Sequence, residues 1–171
     1  RLKENYDLYG YMEDDLIIND PWFFNKIDWF RRETGDNCLL LPHRMELPSY
    51  PTGLDRFYID GPMFEKDVKE LIPNPPESIS AQWPGGEVTF ESPSNPHAGC
   101  FFLSHSQLSF WRAQSYWQDK DSVWVSPLES AATLGIAKTF RLFKTSVRQA
   151  SWLELKHWGR SFHCLLGNKV H

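Results

Sequence analysis

Apolar and polar positions along the chain sort into short strands and helices mixed throughout. The run Tyr6-Asp7-Leu8-Tyr9-Gly10-Tyr11-Met12 reads as a strand. Asp20-Pro21 then gives an N-cap followed by proline at the first helical position. Trp22, Phe23, Phe24, Ile27 and Phe30 supply the apolar face of that helix, Arg31 and Arg32 its last turn, and Gly35 its stop. Cys38-Leu39-Leu40-Leu41 reads as a short buried strand that runs into Pro42-His43-Arg44.

Residues 45–97 hold most of the prolines and glycines, with strands expected at Arg56–Asp60 and Glu87–Phe90. The stretch from Leu71 to Gly86 is expected to be a loop or lid, because structureless segments this long are usually functional. His97–Leu103 is a strand entered through a small-residue turn. Ser104-x-x-Gln107 is a capping box that opens a helix to about Gln118. Ser126-Pro127-Leu128-Glu129 reads as a second capping box, opening a helix to about Gly135. Phe140–Lys144 and Ser151–Lys156 read as two strands, or as a strand and a helix. The expected fold class is α/β, a mixed sheet flanked by helices.

Composition narrows the function classes. At 171 residues, 41% hydrophobic and 23% charged, the chain suits a single domain, 1–171, with a real core. A net charge of −4 without a basic stripe argues against nucleic acid as the main partner. No apolar run approaches about 18 residues, so no transmembrane segment is expected. Cys38, Cys100 and Cys164 are odd in number and lack CxxC spacing, which favours three buried thiols over a disulfide framework or zinc ribbon. With no Asn-x-Ser/Thr sequon, a cytoplasmic location is the expectation; the Golgi lumen is the alternative if an anchor lies upstream. Eight Trp, twelve Phe and six Tyr give weak support to a carbohydrate ligand, since aromatic faces stack on sugars.

The chemistry concentrates at Glu13-Asp14-Asp15, at the carboxyl end of the first strand, which is expected to be buried. Carboxylates are costly to bury without compensation, and Mg²⁺ or Mn²⁺ takes hard oxygen ligands, often one or two carboxylates plus substrate phosphates. The carboxyl ends of strands are also where open α/β sheets bind ligands. The stretch YGYMEDDLIIND resembles the DXD metal site of GT-A glycosyltransferases, in a Glu-Asp-Asp form. Candidates for three further landmarks of that family follow in order: Ala98-Gly99-Cys100, Leu128-Glu129-Ser130 and His157.

The resemblance implies a GT-A-like fold whose N-terminal nucleotide-binding half is absent here. The start at Arg1 without Met, and the lack of a GxGxxG or P-loop, place that half upstream as an expectation. It implies Asp15 and His157 as metal ligands, with His163 as substitute, and Mn²⁺ or Mg²⁺ as the ion. Glu13 or Asp14 would face the donor ribose or a metal-bound water, and Gly99 would let the backbone approach the donor sugar. Glu129 would be the catalytic base, although Ser130 stands where the family usually has a second acid; Asp119 and Asp121 are the substitutes. Arg44 and Arg56 would neutralise diphosphate, and Trp83, Trp111 and Trp117 would line an acceptor groove. His43, His97 and His105 are expected to be structural or acceptor-side. The partners implied are a nucleotide diphosphate sugar and a glycan acceptor. The alternative functions are a noncatalytic carbohydrate-binding domain with an acidic Ca²⁺ site and, less well supplied with ligands, a metal-dependent phosphoesterase.

Overall fold

A computed structural model describes residues 6–48, 56–122 and 124–159. Its elements are strands β1 (Leu8–Met12) and β2 (Leu16–Ile17), helix α1 (Phe23–Thr34), strands β3 (Cys38–Leu40), β4 (His43–Glu46) and β5 (Phe57–Tyr58), and helix α2 (Glu65–Leu71). Strands β6 (Ile79–Trp83), β7 (Gly86–Glu91) and β8 (Cys100–Ser104) follow, then helices α3 (His105–Arg112) and α4 (Pro127–Thr139). Strand β9 (Arg141–Thr145), a 3₁₀ segment (Val147–Trp152) and β10 (Glu154–His157) complete the order. Among the described residues no helix is long and apolar enough to cross a membrane.

The strands form three small sheets, in the orders β1-β8, β2-β10-β4-β5 and β3-β9-β7-β6. Two pairings are parallel, β10 with β4 and β3 with β9, and the rest are antiparallel. The fold is therefore mixed α/β.

Side chains of a strand alternate between its two faces, and here both faces are covered. Cys38, Leu40, Cys100, Phe102 and Phe143 join Phe23, Ile27 and Phe30 of α1 in one core cluster. Leu39, Leu41, Phe101, Leu103 and Leu142 join Ile136 and Phe140, at and beyond the end of α4, in the other. Coverage on both faces explains why these strands read as continuous apolar runs. Phe23, Phe30, Phe143 and Leu142 are at most 1% exposed, each burial contributing about 1.5–3 kcal/mol.

The local signals map closely onto these elements, with five corrections. The segment expected to be a loop or lid from Leu71 to Gly86 contains β6, because Ile79 and Ala81 pack on the first core while the strand pairs with β7. Strand β1 is only half-buried; among the described residues it pairs with β8 alone, and β8 is buried throughout. The capping box at Ser104 forms in full, but α3 ends at Arg112. The box expected at Ser126 does not form: its side chain makes no cap hydrogen bond, and α4 continues past Gly135 to Thr139. Helix α1 begins at Phe23 with Trp22 as its N-cap, not at Pro21 after an Asp20 cap; Asp20 instead accepts a hydrogen bond from the Trp22 N–H at 2.8 Å in the turn before it, and Gly35 at φ 90° ends α1 as expected. Cys38 and Cys100 are buried free thiols; Cys164 and His163 lie outside the described residues.

Gly135 sits where α4 passes the Trp111 indole, and a Cβ there would be driven into the ring. Trp111 cannot easily yield, because Trp117 at 4.8 Å and Phe101 at 5.6 Å hold it edge-on between ring centroids. Alanine would gain about 1 kcal/mol of helix propensity, but overpacking costs roughly 1–3 kcal/mol. Gly135→Ala is therefore expected to lower the urea midpoint. A rise in that midpoint would show that the ring moves aside freely.

Candidate functional site

The register of two sheets assembles the site. Strand β10 lies between β2 and β4, with Leu155 opposite Arg44, Lys156 opposite Met45, and His157 opposite Leu16. One step further along the parallel pair, His157 meets Glu46, and its Nδ1–H donates to Glu46 Oε1 at 2.9 Å. On the other side the Trp158 N–H donates to the Asp15 carbonyl at 2.7 Å, and His157 Nε2 stands 3.1 Å from Asp15 Oδ2. Asp15, His157 and Glu46 thus form a line across three strands.

Glu46 is 0% exposed and takes the Nδ1 proton, so the imidazole is held in orientation with Nε2 turned to Asp15. A lone pair and a carboxylate oxygen at 3.1 Å repel unless a proton or a cation lies between them. Adjacent ligands of an octahedral cation with bonds of about 2.1 Å also stand about 3 Å apart. The second oxygen, Asp15 Oδ1, is shielded from solvent and has no hydrogen-bond partner. These residues fit a hard or borderline divalent ion. Among the described residues no three His, Cys, Asp or Glu side chains form a ready-made metal group, so the pair would need water or substrate oxygens to complete a shell.

Glu13 belongs to the same turn but faces another way. Its N–H donates to the Gly99 carbonyl at 2.9 Å, one step beyond the last β1–β8 pair, Met12 with Cys100. A Cβ on Gly99 would lie 2.5 Å from Glu13 Oε2, and Gly99 has φ 62°. The glycine is thus required to make room for Glu13's carboxylate, a different need from the expected approach to a donor sugar. Burial raises the proton affinity of Glu13, and Asp15, Glu129 and Asp60 raise it further against the opposing pull of Arg44. Asp14 is exposed on the turn and faces none of these groups.

Glu129, in the first turn of α4, is brought to the same region, close enough to Glu13 and Tyr11 to raise the proton affinity of both. Its Oε2 is shielded and has no hydrogen-bond partner, so helix capping does not account for it. Ser130, at the position of the family's second acid, is buried and donates to the Trp124 carbonyl at 2.8 Å. An acid there would face the interior without a partner.

Beneath Glu13 lies a buried charge cluster. Arg44 Nη2 and Nε contact Asp60 Oδ1 at 2.7 and 3.0 Å, and Arg44 Nη1 reaches Glu13 Oε2 at 3.4 Å. Lys144 Nζ approaches Asp60 Oδ2 at 3.3 Å and donates to the His97 carbonyl at 2.7 Å. Burial works against ionisation of Asp60, but Lys144 and Arg44 outweigh it and hold its carboxyl below the usual range. Arg44 therefore stands beside the acidic turn, as expected, with its charge committed to Asp60. Arg56 is committed likewise, to Glu154. His43 Nε2 bonds the Thr145 carbonyl at 2.8 Å, and His105 Nδ1 bonds the Tyr9 hydroxyl at 3.2 Å; both are structural, as expected.

The aromatic acceptor groove expected from the sequence divides in two. Trp111 and Trp117 line a groove of about 440 Å³ beside α4, together with Asp119 and Asp121. Trp83 lies elsewhere, because the β6–β7 hairpin packs it against Trp29 and Trp152. A third groove, about 390 Å³, opens on His157 and is walled by Leu47, Pro48, Lys156 and Trp158.

The residues missed in the sequence are Glu46, Asp60, Lys144 and Tyr11. Asp60 and Lys144 share a signal with the acidic triplet, a charged residue after an apolar strand run, in Phe57-Tyr58-Ile59-Asp60 and Leu142-Phe143-Lys144, whereas Glu46 follows His43-Arg44-Met45 and carries no such signal. Comparison of the chain with family models, curated proteins and solved structures finds no match.

His97 yields a test of the electrostatics. Burial, and Arg44 after it, push its pKa from 6.5 down to about 4, so it is neutral near pH 7 and its 3.7 Å approach to Glu13 is no ion pair. The unfolded chain protonates as pH falls through 6.5 while the native state does not, so stability present at neutral pH is lost down to about pH 4. The loss is on the order of 2–3 kcal/mol. His97→Gln can still bond the Thr133 hydroxyl that now lies 3.2 Å from Nδ1, and it should flatten urea midpoints measured from pH 7 to 4. Parallel profiles for variant and wild type would contradict this assignment.

Proposed function

We propose that the protein is a metal-dependent glycosyltransferase of GT-A-like fold that moves a sugar from a nucleotide diphosphate donor to an acceptor hydroxyl. The observation that carries this reading is convergence. Asp15 and His157, far apart in sequence, stand 3.1 Å apart, Glu13 of the same turn bonds Gly99 and feels the charge of Glu129, and Asp15 and Glu129 each keep an unpartnered oxygen.

In this reading Asp15 and His157 hold Mn²⁺ or Mg²⁺, and Glu46 fixes the histidine's orientation and tautomer through Nδ1. The bound ion would neutralise the donor diphosphate and stabilise charge on the departing oxygen. Glu129 takes the proton of the acceptor hydroxyl as its oxygen bonds to the anomeric carbon. The bond from that carbon to the phosphate oxygen breaks, and the nucleoside diphosphate leaves. Glu13, pinned by Gly99 and Arg44, shapes the edge of the site and adds to its negative potential. The nitrogen of His157 suits Mn²⁺ and is foreign to the oxygen shells of Ca²⁺, which leaves the Ca²⁺-binding alternative without support at this edge.

Three measurements test the reading. Mn²⁺ titration followed by electron paramagnetic resonance should show binding that Asp15→Asn abolishes and Glu46→Gln weakens about 10–100-fold, the usual effect of removing a partner behind a metal-bound histidine. Calorimetry with UDP and GDP should show nucleotide binding that requires the metal and Asp15. Metal-independent affinity unchanged in Asp15→Asn would remove the metal site. In Glu129→Gln, turnover should fall by about 10²–10⁴ with donor affinity and melting temperature near wild type. Turnover that stays at the wild-type level would remove Glu129 as the base.

A further inference from the structure

A groove of about 680 Å³, lined by none of the residues given a role under the proposed transferase reading, runs between the outer face of α1 and the β6–β7 turn. Its surfaces are indoles. Trp22 opens α1 and is 60% exposed, while Trp29 and Trp83 meet edge to face at 5.1 Å. Both of these rest on Trp152, at 5.8 and 5.5 Å, so that wall is held from behind. Pro84 and Gly85 form the hairpin rim, and the exposed Asn25 amide stands on the opposite side. Trp22, Asn25, Trp29 and Arg32 are spaced three and four apart, which makes them one stripe along α1.

The charges around this stripe cancel. Lys26 pairs with Asp20 at 2.6 Å; Asp28 pairs with Arg31 at 2.9 Å and Arg32 at 2.7 Å; Arg31 also pairs with Asp36 at 3.0 Å. Three acids therefore balance three bases. Among the described residues that line the groove, each cation is paired, so a phosphate-bearing ligand would have to compete with Asp20 and Asp28, and a lipid chain would meet charged and amide groups along the rim. What fits is a ligand with apolar C–H faces and a girdle of uncharged hydroxyls. A sugar ring stacks on an indole while its hydroxyls bond to side chains such as Asn25, Asp28 and Arg32. The volume lies within the range of small-ligand sites, about 300–1,000 Å³.

We propose that this groove binds a neutral oligosaccharide, at a site separate from Asp15 and His157 and independent of the transferase reading. The probes are cellotriose, maltotriose and chitotriose, each titrated to millimolar concentration into the ¹⁵N-labelled protein without nucleotide or metal. At least one should shift the indole N–H resonances of Trp22 and Trp83 saturably. Trp22→Ala should weaken that binding about tenfold or more, the scale expected for truncating an anchoring aromatic. Asn25→Ala should weaken it less, and since both side chains are exposed, both variants should melt like wild type. Asp15→Asn should leave the titration unchanged, so failure here and failure of the transferase reading are separable. The proposal is overturned if no trisaccharide shifts these resonances, or if binding survives both groove substitutions. It is equally overturned if a sulfated heparin tetrasaccharide or a proline-rich decapeptide binds there more tightly than every neutral sugar.

Discussion

The structure depends on one buried carboxylate. Asp60 follows β5, and its side chain is 3% exposed. An ionised group there is tolerable only because Arg44 from β4 and Lys144 from β9 reach it from two different sheets. Removing one partner of such a buried cluster leaves an uncompensated charge, a loss of about 3–5 kcal/mol. Lys144 also holds the His97 carbonyl in the approach to β8, and Arg44 extends to Glu13 after β1. A single acid thus ties the ends of all three sheets together, which small sheets of two and four strands could not achieve through their own ladders.

Beside this compensated cluster lies a second set of acids that is only partly compensated. Asp15 and Glu129 each keep a shielded oxygen without a partner, while the other oxygen of Asp15 stands 3.1 Å from His157 Nε2. The contrast matters because both sets occupy the same edge of the fold and face the same cost of burial. Where the chain needs only stability, it supplies Arg44 and Lys144. Where it leaves carboxylate oxygens without a partner, a ligand that brings positive charge is the natural complement, and the proposed divalent ion is such a ligand.

Much of this was legible in the sequence, for local reasons. Gly35, the Ser104–Gln107 box and the Phe23, Ile27 and Phe30 positions of α1 act within a few residues, and each lies where the pattern placed it, while Trp22 and Phe24, expected on the same face, are exposed. The acidic turn, Gly99, Glu129 and His157 were also legible as separate short motifs. The resemblance implied that Asp15 and His157 share a metal, but Glu46 was not legible, because its place follows from the β2-β10-β4 register, and His157 could be set against it only once β10 was known to run parallel to β4. The long-loop expectation at Leu71–Gly86 failed for a related reason. Pro84, Gly85 and Gly86 signalled a break, but Ile79 and Ala81 pack inward only because β7 and the aromatic cluster around Trp152 are there to receive them.

The same distinction explains the capping motif at Ser126. By pattern alone, Glu129 three residues after a serine is fully accounted for by its own helix, and a search for function would pass over it. The geometry separates two motifs that look alike in sequence. At Ser104 the hydroxyl and Gln107 exchange hydrogen bonds, while at Ser126 the hydroxyl makes no cap bond. Proline at the first position of α4 already fixes the backbone and removes one amide that a cap would otherwise satisfy. The helix start is therefore secured without Glu129, whose carboxylate is left facing Glu13 and Tyr11. A local sequence rule describes an acid well when its partner is local; here the interacting groups come from β1 and the turn after it, more than a hundred residues earlier, and only the fold reveals them.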